Sequence, residues 1–158
     1  MKKSMFVAIA CLMAALSVMT AVSGKDTETD SSTWLTDLPK ALGLAKSEHK
    51  LVLMDFTGSD WCPPCKALHK TVFSSQDFAD YAKTNLVLVL VDFPNAKPQT
   101  EELKKANQAL SDKFKVEGYP TVIVLDGNGN QLSKELGYEG TTPKEFIANL
   151  EKLKQKAL

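Results

Sequence analysis

The sequence contains no arginine: all 19 basic residues among its 158 are lysine. A planar, bidentate clamp on phosphate or carboxylate is therefore excluded. Acidic residues also number 19, so neither sign of charge is in excess. That balance argues against nucleic acid as a partner, since binding it needs a phosphate-neutralising surface. Histidine occurs only twice and cysteine only three times, and no internal repeat is visible. What is present is ordinary globular material, 44% hydrophobic and 24% charged, which rules out disordered and fibrous classes. One domain of this length buries a real core without metals or many disulfides. The odd cysteine count is the feature to resolve.

The N-terminus accounts for one cysteine. Lys2 and Lys3 precede an apolar run from Met5 to Leu16, and small residues follow at Ala21-Val22-Ser23. This pattern predicts a secretory signal, residues 1–23, cut near Ser23. An uncleaved anchor over Met5–Val22 is the alternative, though Ser17 and Thr20 interrupt it. A lipid-modified Cys11 is another, with only six apolar residues before it. All three place the remaining chain outside the cytoplasm. Removing the first 23 of 158 residues leaves 135, with 17 lysines against 19 acids and two cysteines, Cys62 and Cys65.

Residues 24–33 are polar and small and read as a flexible leader, ahead of a domain over 34–158. Apolar spacing predicts a helix over Thr36–Glu48. Leu51–Phe56 is a strand, and Cys62 begins a second helix. Ser74–Asp77 fits a capping box for a helical piece reaching Lys83. The run Leu86–Val91 (LVLVLV) predicts a central strand covered on both faces. Thr100 caps a helix whose apolar face is Leu103, Ala106, Leu110 and Phe114. Thr121–Leu125 is a third strand, and the Asp126–Gly129 turn returns the chain over Asn130–Leu136 as a hairpin partner. Thr142-Pro143-Lys144-Glu145 is a capping box for a last helix carrying Phe146, Ile147, Leu150 and Leu153. Strands alternating with helices predict an α/β fold: a parallel sheet, helices on both faces, and an antiparallel edge from the hairpin.

Three readings compete for Trp61-Cys62-Pro63-Pro64-Cys65. As a structural staple the pair closes almost no loop and removes little unfolded-state entropy. As a metal site it needs further ligands, and the chain offers only His69, one helical turn after Cys65, and an isolated His49. As a redox pair it needs two neighbouring thiols, one of them activated. Cys62 falls at the N-cap, where the helix end favours a thiolate. Pro63 suits the first helical position, and Pro64 has no N–H to give. The Cys65 N–H is then the local donor left for the Cys62 sulfur. Cys65 lies inside the helix and is expected to be the more shielded, so Cys62 attacks a disulfide and Cys65 resolves the mixed disulfide.

These residues resemble the thioredoxin superfamily over about Trp34–Leu158. The resemblance rests on the strand Leu51–Phe56, the W-C-P-P-C at the next helix start, and Gly118-Tyr119-Pro120-Thr121 before a strand. In particular the segment D-F-T-G-S-D-W-C, Asp55–Cys62, is similar to exported bacterial thioredoxin-like proteins. W-C-P-P-C itself also occurs in tryparedoxins and cytochrome-maturation thioredoxins. The resemblance implies a mixed sheet (β-α-β then β-β-α) flanked by helices, with an extra N-terminal helix. It also implies thiol-disulfide oxidoreductase activity and a cis peptide before Pro120. Gly118, Tyr119, Pro120 and Trp61 would then form the substrate surface, with the Tyr119 backbone open to pairing by an extended segment. Asp55 sits in an otherwise apolar strand, where burial would raise its pKa. Thioredoxins place an Asp at the matching position to take the proton of the second cysteine.

There are departures. The thioredoxin strand lysine near that Asp has no counterpart in Leu86–Val91, and the stretch to Cys62 is one residue longer than in many thioredoxins. Asp60 is read as added negative surface. The resulting expectation is a monomeric, exported reductase acting on disulfide- or thiol-containing envelope proteins. It lacks both the inserted helical domain of dedicated oxidases and the dimerisation domain of dedicated isomerases. It uses no cofactor beyond its cysteines and draws electrons from a membrane thiol donor. A binding adaptor without redox turnover, and a metallochaperone using Cys62, Cys65 and His69, are the alternatives.

Overall fold

A computed structural model describes residues 33–157. The expected signal segment, Cys11 and nearly all of the expected leader lie outside them. The described elements are α1 (Leu38–Glu48), β1 (Leu51–Thr57), α2 (Pro63–Leu68), a π turn (His69–Phe73), α3 (Gln76–Asn85) and β2 (Leu86–Asp92). Then follow α4 (Glu101–Phe114), β3 (Thr121–Leu125), β4 (Gln131–Leu136) and α5 (Pro143–Ala157). Among these no helix is long and apolar enough to cross a membrane.

Local chemistry sets most boundaries. Asp37 caps α1 by accepting the Lys40 N–H at 2.8 Å, so the helix begins two residues later than expected. The expected capping box at Ser74–Asp77 is displaced by one residue. Ser75 caps α3 through the Phe78 N–H, because Ser74 already closes the π turn with its own N–H. At α5 the box forms as expected: Thr142 Oγ1 accepts the Glu145 N–H, and Glu145 Oε2 accepts the Thr142 N–H at 2.9 Å.

The sheet is mixed, in the order β2-β1-β3-β4. Only β1–β2 is parallel; β3 joins β1 antiparallel, and β4 joins β3 antiparallel. The parallel sheet with one antiparallel edge is thus corrected, since the hairpin inserts its first strand beside β1. The expected central position of LVLVLV is also corrected. β2 is outermost, and β1 and β3 are the strands held on both sides. The free edge of β2 is covered by Leu35, which donates to Leu88 O at 2.9 Å and accepts from Leu90 N at 2.8 Å. An all-apolar strand reports burial of its two faces, and both are buried here, but it does not report its place in the row.

Alternation along the strands splits the core in two. Leu51, Leu53 and Leu88 face Leu68, Phe73, Phe78 and Phe146 of α2, the π turn, α3 and α5. Val52, Met54, Phe56 and Val89 face Leu38, Ala41 and Phe114 of α1 and α4. Asp55 shares the parity of Leu51 and Leu53, so it points to the side of the cysteine helix. The α4 face is rotated from the expected one. Asn107, Ser111 and Phe114 are buried, Leu103 and Leu110 half-buried, and Ala106 exposed. A buried Asn is tolerated because its Nδ2 donates to Asp92 O at 2.8 Å.

Candidate active site

Cys62 caps α2 in an extended conformation, and Pro63 and Pro64 fill the first two helical positions. With no N–H on either proline, the Cys65 N–H donates to Cys62 Sγ at 3.3 Å, the bond read from the sequence. The two sulfurs form a disulfide. Each cysteine is 3% exposed, so in this oxidised form Cys65 is not the more shielded. What separates them is what they face: Cys65, and not Cys62, lines a cavity of about 370 Å³ behind the helix.

Asp55 lines the same cavity, itself 3% exposed, with no hydrogen bond to its Oδ1. Its pKa is raised from 3.8 to about 7, first by burial and second by the Asp92 carboxylate. Directly across the sheet from Asp55 is Leu90, an apolar residue. Asp92, two positions on and therefore on the same face, also lines the cavity. Sequence reasoning missed Asp92. Its parity in LVLVLVD was the available signal, but it meant nothing until the register Asp55↔Leu90 was known.

The segment before Cys62 is stitched to the end of β2 and the loop after it. Ser59 donates to Asp92 from both N and Oγ, at 2.9 and 2.6 Å. Asp60 accepts the N–H groups of Asn95, Ala96 and Lys97 at 3.0, 2.7 and 3.1 Å, which lower its pKa. The expectation that Asp60 merely adds surface charge is corrected: it is a loop anchor. Trp61, 43% exposed, donates from Nε1 to Phe93 O at 2.7 Å. Its ring stands edge-on to Tyr119 at 5.9 Å, and Tyr119 stacks on Phe93 at 5.2 Å. The Tyr119–Pro120 peptide is cis, and the Gly118 carbonyl is taken by Thr121 Oγ1 at 2.7 Å. Trp61, Tyr119 and Phe93 therefore form one aromatic surface beside the cysteine helix, with Phe93 the member the sequence did not suggest.

Gly58 makes room for that surface. A Cβ there would run into the Trp61 ring. Gly58→Ala is expected to push the indole off Phe93 O and Tyr119, lowering stability by about 1–2 kcal/mol. Urea unfolding checks this; an unchanged midpoint would show that the ring moves freely.

Among the described residues no group of three or more His, Cys, Asp or Glu is placed to hold a metal. His69 lines the cavity, but its Nδ1 meets Ser74 Oγ at 3.2 Å. His49 lies just before β1, at the end of that strand away from the cysteines.

Residues 38–154 match the family described as thioredoxin-like domain. The chain belongs to this family. This thioredoxin-like protein is 38% identical over 100 residues to the disulfide bond reductase DsbH of Chlamydia pneumoniae, covering 63% of this chain and 60% of that one. It is 33% identical over 124 residues to the thioredoxin-related protein DsbJ of the same organism, covering 78% of this chain and 36% of that one. It thus spans less than two thirds of either curated relative. A solved DsbH oxidoreductase structure superposes with a TM-score of 0.72 at 32% identity, covering 78% of this chain and 84% of that one. The fold is a thioredoxin fold, and the homologues are Dsb disulfide oxidoreductases.

Proposed function

We propose that this thioredoxin-like protein is an exported thiol-disulfide oxidoreductase that reduces or exchanges disulfides in envelope proteins. The observation that carries the reading is the Cys62–Cys65 disulfide at the α2 N-cap, with a buried carboxylate in the cavity behind Cys65. Similarity to a protein named disulfide bond reductase favours the reductive direction. The signal-like N-terminal segment supports export, and the chain works as a monomer fed by a membrane thiol donor.

In the reduced protein, the Cys62 thiolate attacks one sulfur of a substrate disulfide. The other substrate sulfur leaves with the bonding electrons and is protonated by solvent. Asp55 then takes the Cys65 proton. The Cys65 sulfur attacks Cys62 Sγ, the Cys62–substrate bond breaks, and the second substrate sulfur leaves as a thiolate. The protein is left oxidised and the substrate reduced by two electrons. Trp61, Tyr119, Pro120 and Gly118 hold the substrate segment, and Pro63 and Pro64 keep the turn fixed. The full chain without its first 23 residues, assayed with insulin and dithiothreitol, is expected to accelerate insulin reduction severalfold or more over dithiothreitol alone. No acceleration would overturn the reading.

A further inference from the structure

Two carboxylates share the cavity behind Cys65, and they are held differently. Asp92 receives both the N–H and the hydroxyl of Ser59, one on each oxygen. Asp55 is more deeply buried and leaves Oδ1 without a partner. The other charged or titratable side chains lining the cavity are Lys66 and Cys65 from α2, His69 from the π turn and Lys97 from the loop after β2. Lys66 Nζ donates to Asp60 O at 2.6 Å, and Lys97 Nζ donates to Ser59 Oγ at 2.9 Å. Neither lysine pairs with Asp55 or Asp92 among the described residues. Facing Asp55 across the sheet is an apolar leucine, and among the described residues no lysine forms an ion pair with it.

We infer that Asp92 is a positioning residue for Asp55: clamped by Ser59, its negative charge sets the pH at which Asp55 takes the Cys65 proton. Like charges in one cavity resist simultaneous ionisation, so the more deeply buried carboxylate, Asp55, is the one that keeps a proton. Hydrogen bonding supports Asp92; nothing comparable supports Asp55 Oδ1. The elevated proton affinity of Asp55 has burial as its first cause and Asp92 as its second. Lys97, bonded to the serine that clamps Asp92, places a positive charge at the same cavity and opposes the effect.

The proton-accepting role rests on the function proposed above; the electrostatic link does not, because it is read without turnover. Carboxyl carbon NMR of the oxidised full chain follows the Asp55 titration. In Asp92→Asn, which keeps an acceptor for Ser59, the Asp55 midpoint is expected to fall by about one pH unit. Asp92→Glu, which keeps the charge, restores it toward wild type. Lys97→Met, at an exposed side chain, moves it upward and covers the case in which Asp92→Asn does not fold. A midpoint unchanged or raised in folded Asp92→Asn, or unchanged or lowered in Lys97→Met, overturns the inference. In single-turnover assays the pH profile of the resolving step shifts down with the Asp92→Asn midpoint. A profile that stays put while the NMR midpoint moves removes the catalytic consequence and leaves the link between the carboxylates.

Discussion

Cys65→Ser is expected to stop turnover and leave the protein covalently joined to its substrate. Attack by Cys62 needs only its own sulfur, which sits at the helix N-terminus with the backbone N–H of residue 65 pointing at it. That N–H survives the substitution. Resolution needs a second sulfur in reach, and serine offers none that can form a disulfide. Insulin reduction should fall to the rate of dithiothreitol alone, as when a residue acting as part of a unit is removed. Non-reducing electrophoresis should show an adduct that dithiothreitol releases. Peptide mapping should place the adduct on Cys62. Cys62→Ser should be equally inactive and form no stable adduct. Adducts on Cys65 in Cys62→Ser, matched by none in Cys65→Ser, would reverse the two roles.

Asp55→Asn should separate the two chemical steps. Asp55 lines the cavity with Cys65, and Cys62 does not line it, so only the second step should lose its proton acceptor. Resolution is expected to slow by about a hundredfold, the usual contribution of a positioned base. Attack by Cys62 should change by no more than about twofold. Rapid-quench trapping of the mixed disulfide measures both. Equal slowing of the two steps, or none, would remove Asp55 from the proposed mechanism.

The same substitution has a second consequence, for stability. The unfolded chain releases the Asp55 proton near the ordinary 3.8, whereas the folded chain holds it until about pH 7. Between these values the folded state binds the extra proton, so stability falls as pH rises. The contribution is fully present below 3.8 and lost as pH climbs through about 7. A difference of that size corresponds to about 4 kcal/mol for a group buried this deeply. Asn carries no charge at any pH. Oxidised Asp55→Asn should therefore be more stable than wild type at pH 8, by up to a few kcal/mol, and lose that advantage by pH 4. Urea unfolding at the two pH values checks the sign. A constant difference would mean that Asp55 is solvated in the folded protein.

Much of this protein is legible in short windows of its sequence, because the forces that act there are short-ranged. The cap on α5, the strand at Leu51, the hairpin turn and the Cys62 N-cap each depend on residues within four positions of one another. Two prolines in a row leave one N–H for the Cys62 sulfur, and no tertiary information is needed to see it. Asp55 stands out as a single charge in an apolar strand. Longer-range relations were not legible. LVLVLV has two buried faces but is an edge strand, because Leu35 rather than a full strand covers its outer side. The buried side of α4 is set by Asn107 finding the Asp92 carbonyl, a partner 15 residues away that hydropathy does not weigh. Asp60, read as surface charge, holds three N–H groups 35 to 37 residues further along. Asp92 enters the cavity of Asp55 and Cys65 only because β1 and β2 pair in one particular register. The sequence by itself determined the cysteine pair, the local turn that holds it and the buried acid on β1. The tertiary structure alone decided which other charges that acid meets, since strand pairing brings together groups that the chain keeps more than thirty residues apart.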